Sequence, residues 1–219
     1  SPEAAIAEAR ASAWRKLGPV TLVDCDDIVG AGAPGGNTRL ARALLADGDD
    51  LVAYVPVHDP AAVERLWSEP DGARVSFTLR GTPGYDMPEV PIASAVLAAR
   101  MTGEFGRALR VDVGTTHIVL TDRAPLPIHP KFWSALGLKA RAADVIVQKN
   151  FFHYRMFYVA HSFHHVPVTS GGATSFRRVR ERSYRVPVYP NADLSSWREG
   201  DAILRRPAAW TPAAPDVHA

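Results

Sequence analysis

The sequence lacks the features of a disulfide-bonded or membrane-spanning protein. Its 219 residues include one cysteine, Cys25, which excludes an intrachain disulfide and is typical of a reducing compartment. It has no apolar run of about 18 residues, so no membrane-spanning helix is predicted. The first residues also lack the basic and apolar regions of a signal peptide. We therefore expect a cytoplasmic protein that does not contact a membrane.

An excess of charge of one sign is also missing. The 25 Lys and Arg residues against 23 Asp and Glu give a net charge of +2. This balance argues against nucleic-acid binding by long-range electrostatics, so no nucleic-acid partner is predicted. Five arginines lie in residues 177–185, but Glu181 interrupts them. We interpret this segment as a strand with a solvated face or as a surface for an acidic partner.

Hydrophobic periodicity predicts alternating strands and helices in the first part of the chain. The predicted helices cover residues 1–16, 38–46 and 61–67, and the predicted strands cover 20–23 and 52–57. A β-α-β-α order favours a parallel sheet that is covered by helices.

The middle of the chain alternates with a period of two, which is typical of short antiparallel strands. It predicts an antiparallel insert or a second sheet formed by residues 74–80, 92–101, 108–112 and 116–120. A helix over 130–136, a buried strand over 145–148 and a helix-like segment over 151–160 follow. The predicted fold class is therefore α/β, with a mixed sheet, parallel β-α-β units flanked by helices, and an antiparallel strand insert.

The end of the chain has little periodicity. Only residues 184–188 are predicted to form a strand after His161. Residues 205–219 are rich in proline and alanine and are predicted to form a flexible tail. We therefore expect one α/β domain over residues 1–204, followed by the tail.

An acidic turn and a glycine-rich loop follow the first predicted strand. Asp24, Asp26 and Asp27 lie directly before this loop, which continues to the helix at Thr38. Carboxylates, a glycine loop and a helix after a strand are how α/β proteins build sites at the carboxyl ends of strands. The same aspartates could instead cap turns, and both interpretations remain open.

The glycines of this loop satisfy the Gly-x-Gly-x-x-Gly spacing at Gly30, Gly32 and Gly35. The acidic residues before them and the intervening Pro34 argue against a dinucleotide fingerprint. No lysine follows as it does in a phosphate-binding loop. Nucleotide binding is therefore not the favoured function.

Lys149 follows the predicted strand 145–148, and His153 and Arg155 come soon after it. Such a group of cationic and titratable side chains could stabilise an oxyanion or bind a substrate carboxylate. Alternatively, Lys149 pairs with Asp24 or Asp27, and Arg155 is a solvated helix residue. A pairing of that kind is compatible with both interpretations.

Two histidines, His161 and His165, are four residues apart and could share a helix face as zinc ligands do. The glutamate of a His-Glu-x-x-His motif is absent between them. They are the candidate metal ligands of this chain, but no metal site is assigned to them.

Two of these motifs match patterns of one family. The first family pattern is an Asp-x-x-Asp-Asn turn followed by Gly-Gly-Gly-Ala-Pro-Gly-Asp-Gly-Thr, which matches Asp24, Asp27 and residues 30–38. The second pattern is Lys-Ser-x-x-His-Phe-Arg, which matches the segment that begins at Lys149. In these patterns the chain resembles the C-terminal domain of the microcystinase C-type metallopeptidases. The resemblance extends over about residues 1–195.

The resemblance also has a later match and several departures. Residues 185–190 resemble an Arg-Arg-Pro-Ile-Tyr-Pro phrase of the family. Gly36 stands where the family has an aspartate after Pro-Gly. The other departures are Ile28 for Asn, Asn37 for Gly and His129 for Asp.

The resemblance implies a zinc-dependent hydrolase of peptides or amides. It implies that the zinc is bound by an N-terminal domain or subunit rather than by this chain, which would be an excised domain or a split subunit. The implied catalytic residues are Lys149, His153, Arg155 and Asp27. The implied substrate-binding residues are Asp24, Gly30, Gly32, Gly35, Thr38, Arg185 and Tyr189. The alternative is a non-catalytic module that recruits a partner or a small ligand.

Overall fold

The computed structural model describes residues 1–104, 106–189 and 191–193. The helices in this part of the chain are α1 (Pro2–Ala11), α2 (Arg39–Asp47), α3 (Pro60–Leu66), α4 (Lys131–Ser134), α5 (Tyr154–Tyr158) and α6 (Phe176–Glu181), with 3₁₀ turns at Ala13–Lys16, Val29–Ala31 and Ala140–Ala142. The strands are β1 (Val20–Asp24), β2 (Ala53–His58), β3 (Arg74–Leu79), β4 (Val90–Gly103), β5 (Gly106–Val113), β6 (Thr116–Thr121), β7 (Val145–Gln148) and β8 (His164–Val168).

The strands form one mixed sheet in the order β3-β4-β5-β6-β2-β7-β1-β8. The pairs from β3 to β6 are antiparallel, and those joining β6, β2, β7, β1 and β8 are parallel. This confirms the predicted fold class. The antiparallel strands extend the same sheet, so the alternative of a second sheet is wrong.

Helices cover both faces of the sheet because its central strands are apolar on both sides. On β7, Val145 and Val147 join the core beneath α1, α2 and α3, whereas Ile146 joins the core beneath α4 and α5. The alternation follows from the period of two along a strand. Such two-sided burial is typical of parallel strands in α/β proteins.

The parallel strands place their carboxyl ends at one edge of the sheet. Val23 of β1 lies opposite Gln148 of β7, and Asp24 lies opposite Val168 of β8. The segments that follow these strands therefore meet. We refer to this edge, where the acidic turn, Lys149 and the segment after β8 come together, as the site edge.

Several predicted boundaries differ from the structure. The helices predicted over 1–16, 130–136 and 151–160 are shorter, and strand β8 was not predicted. β8 is short and contains Pro167 and two histidines, a composition that weakens a strand pattern.

The strand interpretation of the arginine-rich segment is wrong, whereas its interpretation as a surface for an acidic partner stays a prediction. The segment begins as helix α6, because arginine and glutamate are good helix formers. Residues 184–188, also predicted as a strand, form bends and irregular backbone. Pro187 cannot donate a backbone hydrogen bond there.

The chain divides into two compact units, Ser1–Phe176 and Arg177–Ala219. The sheet belongs to the first unit. In the second, Tyr184 donates a hydrogen bond to the Val179 carbonyl and Asn191 donates to the Arg180 carbonyl. The predicted tail over 205–219 lies outside the described residues. Among the described helices, none combines the length and the apolar character needed to cross a membrane.

Candidate functional site

Lys149 lies at the centre of the site edge and is fully buried. Its ammonium nitrogen lies 2.8 Å from Asp27 Oδ2 and 3.4 Å from Asp24 Oδ2. The Asn37 carbonyl oxygen, also 3.4 Å away, is a third acceptor. An ammonium group has three N–H donors, so its hydrogen-bonding capacity is met inside the protein. The predicted pairing of Lys149 with the loop aspartates is present.

Asp27 joins Lys149 to the glycine-rich loop. Its Oδ1 accepts a hydrogen bond from the Gly35 amide at 3.1 Å, and its Oδ2 accepts one from the Asn37 amide at 2.8 Å. Gly35 has a φ of 81°, a conformation that glycine adopts at little cost. One carboxylate thus fixes the end of the loop directly before α2.

Asp24 joins the same cluster to the segment after β8. Ser170 donates a hydrogen bond to Asp24 Oδ1. The Asn37 side-chain amide in turn donates to Ser170 Oγ at 2.6 Å. Nearby, Asp26 Oδ2 accepts from the Gly171 amide at 2.6 Å. Ser170 was missed by the sequence analysis because β8 was missed; the polar run Thr169–Gly172 was the available signal.

Burial and charge act in opposite directions on the pKa values of this cluster. Burial raises the pKa of Asp24, and the attraction of Lys149 only partly offsets it. Burial also acts to raise the pKa of Asp27, but Lys149 and the two backbone amides outweigh it and lower that pKa. The two carboxylates outweigh burial at Lys149 and raise its pKa. Lys149 and Asp27 therefore form a charged pair.

The exposed part of the glycine-rich loop lies before its anchored end. Gly30 and Gly32 are exposed, whereas Gly35 and Thr38 are buried. The Val29 amide donates to the Lys149 carbonyl oxygen at 2.9 Å, so the exposed turn is attached to the same segment as the buried cation. Thr38 donates to the Pro88 carbonyl oxygen at 2.6 Å.

Asn150 separates Lys149 from α5. Its side-chain oxygen accepts hydrogen bonds from the amides of Phe152 and Tyr154, both at 3.2 Å, and thereby fixes the turn that leads into α5. His153 and Arg155, by contrast, are exposed. The Lys-x-x-x-His-x-Arg phrase thus has one interior cation and two exposed groups.

The candidate metal ligands do not lie on a shared helix. His161 is in a turn and His165 is on β8, so the expected common helix face is wrong. His165 Nδ1 lies 2.9 Å from the Tyr154 hydroxyl, and burial lowers its pKa to about 4. His161 Nδ1 is buried without a hydrogen-bond partner and its ring lies against Tyr158. No group of three or more potential metal ligands occurs among the described residues, which therefore do not fit a zinc site.

Arg185 and Tyr189 belong to the second unit. Both are exposed, in the irregular segment after α6. The predicted substrate-binding residues are thus distributed over both units.

The fold and the site edge define an α/β domain in which a buried lysine–aspartate pair anchors a glycine-rich loop. The family model of the MlrC C-terminus matches residues 22–184, and the chain belongs to this family. It is 27% identical over 184 residues to microcystinase C of Sphingomonas sp., a match that covers 78% of this chain. The family and this relative make it a metallopeptidase-related domain.

The fold also resembles that of a solved structure. A crystal structure of a candidate metallopeptidase from Mesorhizobium sp. BNC1 matches 88% of the chain with a TM-score of 0.76 and 23% identity. The matches cover only 36% of microcystinase C and 41% of the Mesorhizobium chain. The present chain thus spans less than half the length of both.

Proposed function

We propose that this chain is the carboxyl-terminal, substrate-side domain of a zinc-dependent hydrolase of peptides or other amides. In this proposal, the zinc is held by an N-terminal half, present either as a preceding domain or as a separate subunit. Membership of the MlrC C-terminal family and the similarity to microcystinase C support it.

The observation that carries the proposal is that the motif Lys149-x-x-x-His153-x-Arg155 has a buried lysine and an exposed histidine and arginine. Lys149 and Asp27 hold the glycine-rich loop and the start of α5 together from inside. This leaves His153 and Arg155 exposed on the segment that directly follows. We assign Lys149 and Asp27 as positioning residues, because a side chain with about 1% exposure does not contact substrate.

In the proposed mechanism, the exposed residues contact the substrate. The Arg155 guanidinium pairs with a substrate carboxylate or with the oxyanion that develops on the scissile carbonyl. His153 donates a hydrogen bond to the same groups or transfers a proton to the leaving amine. Gly30 and Gly32 form a pocket wall without side chains, and Asp24, Gly35 and Thr38 support it from the interior.

The proposed assembly can be tested by complementation. The 219-residue chain is combined with the part of Sphingomonas microcystinase C that precedes the matched region, and zinc content and cleavage of a fluorogenic peptide set are measured. We expect hydrolysis by the combination and none by this chain alone. Stoichiometric zinc and hydrolysis in the isolated chain would contradict the division of roles.

A second candidate function is a non-catalytic binding module. It is favoured by Gly36, which replaces an aspartate of the family pattern in the glycine-rich loop. In this case the combined halves would associate without hydrolysing any peptide of the set.

A further inference from the structure

The outer side of α5 and its flanking turns carries an unusual concentration of exposed apolar side chains. We call this surface the α5 patch. It consists of Phe151, Phe152, Met156, Phe157, Val159 and Phe163, whose exposed fractions lie between 38% and 71%. Single exposed apolar residues are common on protein surfaces, but contiguous groups mark interaction sites.

The core of the domain does not account for the patch. Only Tyr154 and Tyr158 of α5 are buried, four residues apart on the side facing the sheet. A surface helix normally carries polar residues on its other side. Here that side carries Met156 and Phe157 instead, so a second apolar surface faces away from the sheet.

The α5 patch adjoins a cavity of about 500 Å³ beside α4. Met101, Ile128 and Phe132 contribute apolar walls to this cavity. His129 also lines it, and its ring centroid lies 3.7 Å from that of Phe157. Patch and cavity therefore form one surface with a depression in it, as partner-binding surfaces commonly do.

The charges on the chain segment that carries the patch are of one sign, whereas the adjoining cavity is lined by both Glu104 and Lys131. Residues 145–180 contain no Asp or Glu. The charged and titratable groups exposed on α5 and at its start are Arg155 and His153. A matching partner would present an apolar surface bordered by carboxylates, because complementary potentials favour association.

We propose that the α5 patch is the surface on which the N-terminal half docks. The relatives are more than twice as long as their matched parts, so a large amount of protein is available to cover it. The patch begins two residues after Lys149, so a domain bound there would lie beside the site edge. This inference rests on the proposed function, since it takes its partner from it.

The test measures binding rather than hydrolysis, so that the two proposals can fail separately. The full chain is titrated by biolayer interferometry against the immobilised part of Sphingomonas microcystinase C that precedes the matched region, with a fluorogenic peptide assay run in parallel. The patch variant is Phe152→Asp/Val159→Asp. The matched control is Ala46→Asp/Ala61→Asp, which adds the same charge at exposed positions on the opposite face of the sheet.

We expect the patch variant to bind at least about 100-fold more weakly and the control to stay within about threefold of the wild type. An uncharged variant, Phe152→Ser/Val159→Ser, should also lose at least about tenfold, and circular dichroism should show that all variants are folded.

Equal affinity of the patch variants and the wild type, or no binding by the wild type, would overturn the proposal. The wild type could instead form a dimer that is absent from the patch variant, while both bind the N-terminal half equally well. That result would identify a second copy of this chain as the occupant of the patch. Binding without hydrolysis would leave the docking surface intact and contradict only the proposed activity.

Discussion

At the scale of the residue, Lys149 is a buried cation that contacts two carboxylates of unequal character. Asp27 also accepts two backbone hydrogen bonds, whereas Asp24 accepts one from Ser170. Removing one partner of a buried ion pair leaves an uncompensated charge, which typically costs about 3–5 kcal/mol. Lys149→Met should therefore destabilise the domain strongly, even though the replacement side chain is apolar.

The two carboxylates should respond differently to neutralisation. Asp27→Asn removes the charge that Lys149 needs and is expected to cost about 3 kcal/mol at pH 7. Asp24→Asn should cost about 1 kcal/mol, because burial already disfavours the ionised form of Asp24. Urea denaturation of both variants provides the measurement. A larger loss of stability for Asp24→Asn than for Asp27→Asn would contradict the assignment of Asp27 as the charged partner of Lys149.

The contribution of Asp27 should also depend on pH. Its pKa is lower in the folded protein than the usual value of about 3.9, so its ionised form stabilises the protein above that pH. This stabilisation is lost as the pH falls through the folded-state pKa. The stability difference between wild type and Asp27→Asn should therefore shrink below about pH 4. A stability difference between the two proteins that stays constant from pH 7 to pH 3 would contradict the lowered pKa of Asp27.

His165 provides a second test at this scale. Burial, Arg155 and His164 lower its pKa to about 4, so its ring is neutral at pH 7 and resists protonation in the folded state. Because the unfolded chain binds this proton more readily than the folded one, His165 should lower the free energy of unfolding as the pH falls from about 6.5 towards 4. Titration of the imidazole ring by NMR should give a midpoint near 4. A midpoint near 6.5 would show that the ring is solvated.

At the scale of the element, the glycine-rich loop is close-packed at its anchored end and open at its exposed turn. A Cβ on Gly36 would lie 2.1 Å from Thr82 Oγ1 and 2.8 Å from the His58 carbonyl oxygen. Within the part of the chain that the structure describes, a Cβ on Gly30 would meet only the Asn150 side chain, at 3.4 Å. The loop therefore has space for a side chain at Gly30 and excludes one at Gly36.

This difference predicts the effect of restoring the family pattern. Gly36→Asp should destabilise the domain by about 1–3 kcal/mol or more, because it forces Thr82 and its backbone to move. Gly30→Ala is the control and should change stability by less than about 0.5 kcal/mol. Thermal denaturation compares the two. A Gly36→Asp variant as stable as the wild type would show that the loop can rearrange.

The sequence predicted the elements that have strong apolar periods and missed those that depend on tertiary contacts. The runs at β1, β2 and β7 carry enough apolar residues to be recognised alone. β8 includes Pro167 and is identified as a strand only through its pairing with β1. The helix α5 was predicted too long because its exposed face is apolar, which resembles a buried helix in a single sequence.

The same contrast applies to the site. The pairing of Lys149 with the aspartates was predictable, because strands that are parallel place their carboxyl ends together. Ser170 and the Asn37 side chain were not, since their roles depend on the position of β8. The alternative in which Lys149 pairs with the aspartates and Arg155 is a solvated helix residue was left open by the sequence, and the structure shows Lys149 buried and Arg155 exposed.

At the scale of the whole molecule, this chain corresponds to a minority of the length of its relatives. Its described residues contain an anchored loop, exposed His153 and Arg155 at the start of α5 and on it, and an apolar surface beside them. In the function proposed above, such a domain supplies one side of a site that another domain completes.

The most direct test of this account is the activity of the completed enzyme with the exposed cation removed. With the N-terminal half at a saturating concentration, kcat/KM for peptide hydrolysis is compared for wild type, Arg155→Ala and the control Arg42→Ala, an exposed arginine on α2. We expect kcat/KM to fall about 100-fold or more for Arg155→Ala and less than about twofold for Arg42→Ala. Undiminished hydrolysis by Arg155→Ala would contradict the assignment of this domain to the substrate side of the site.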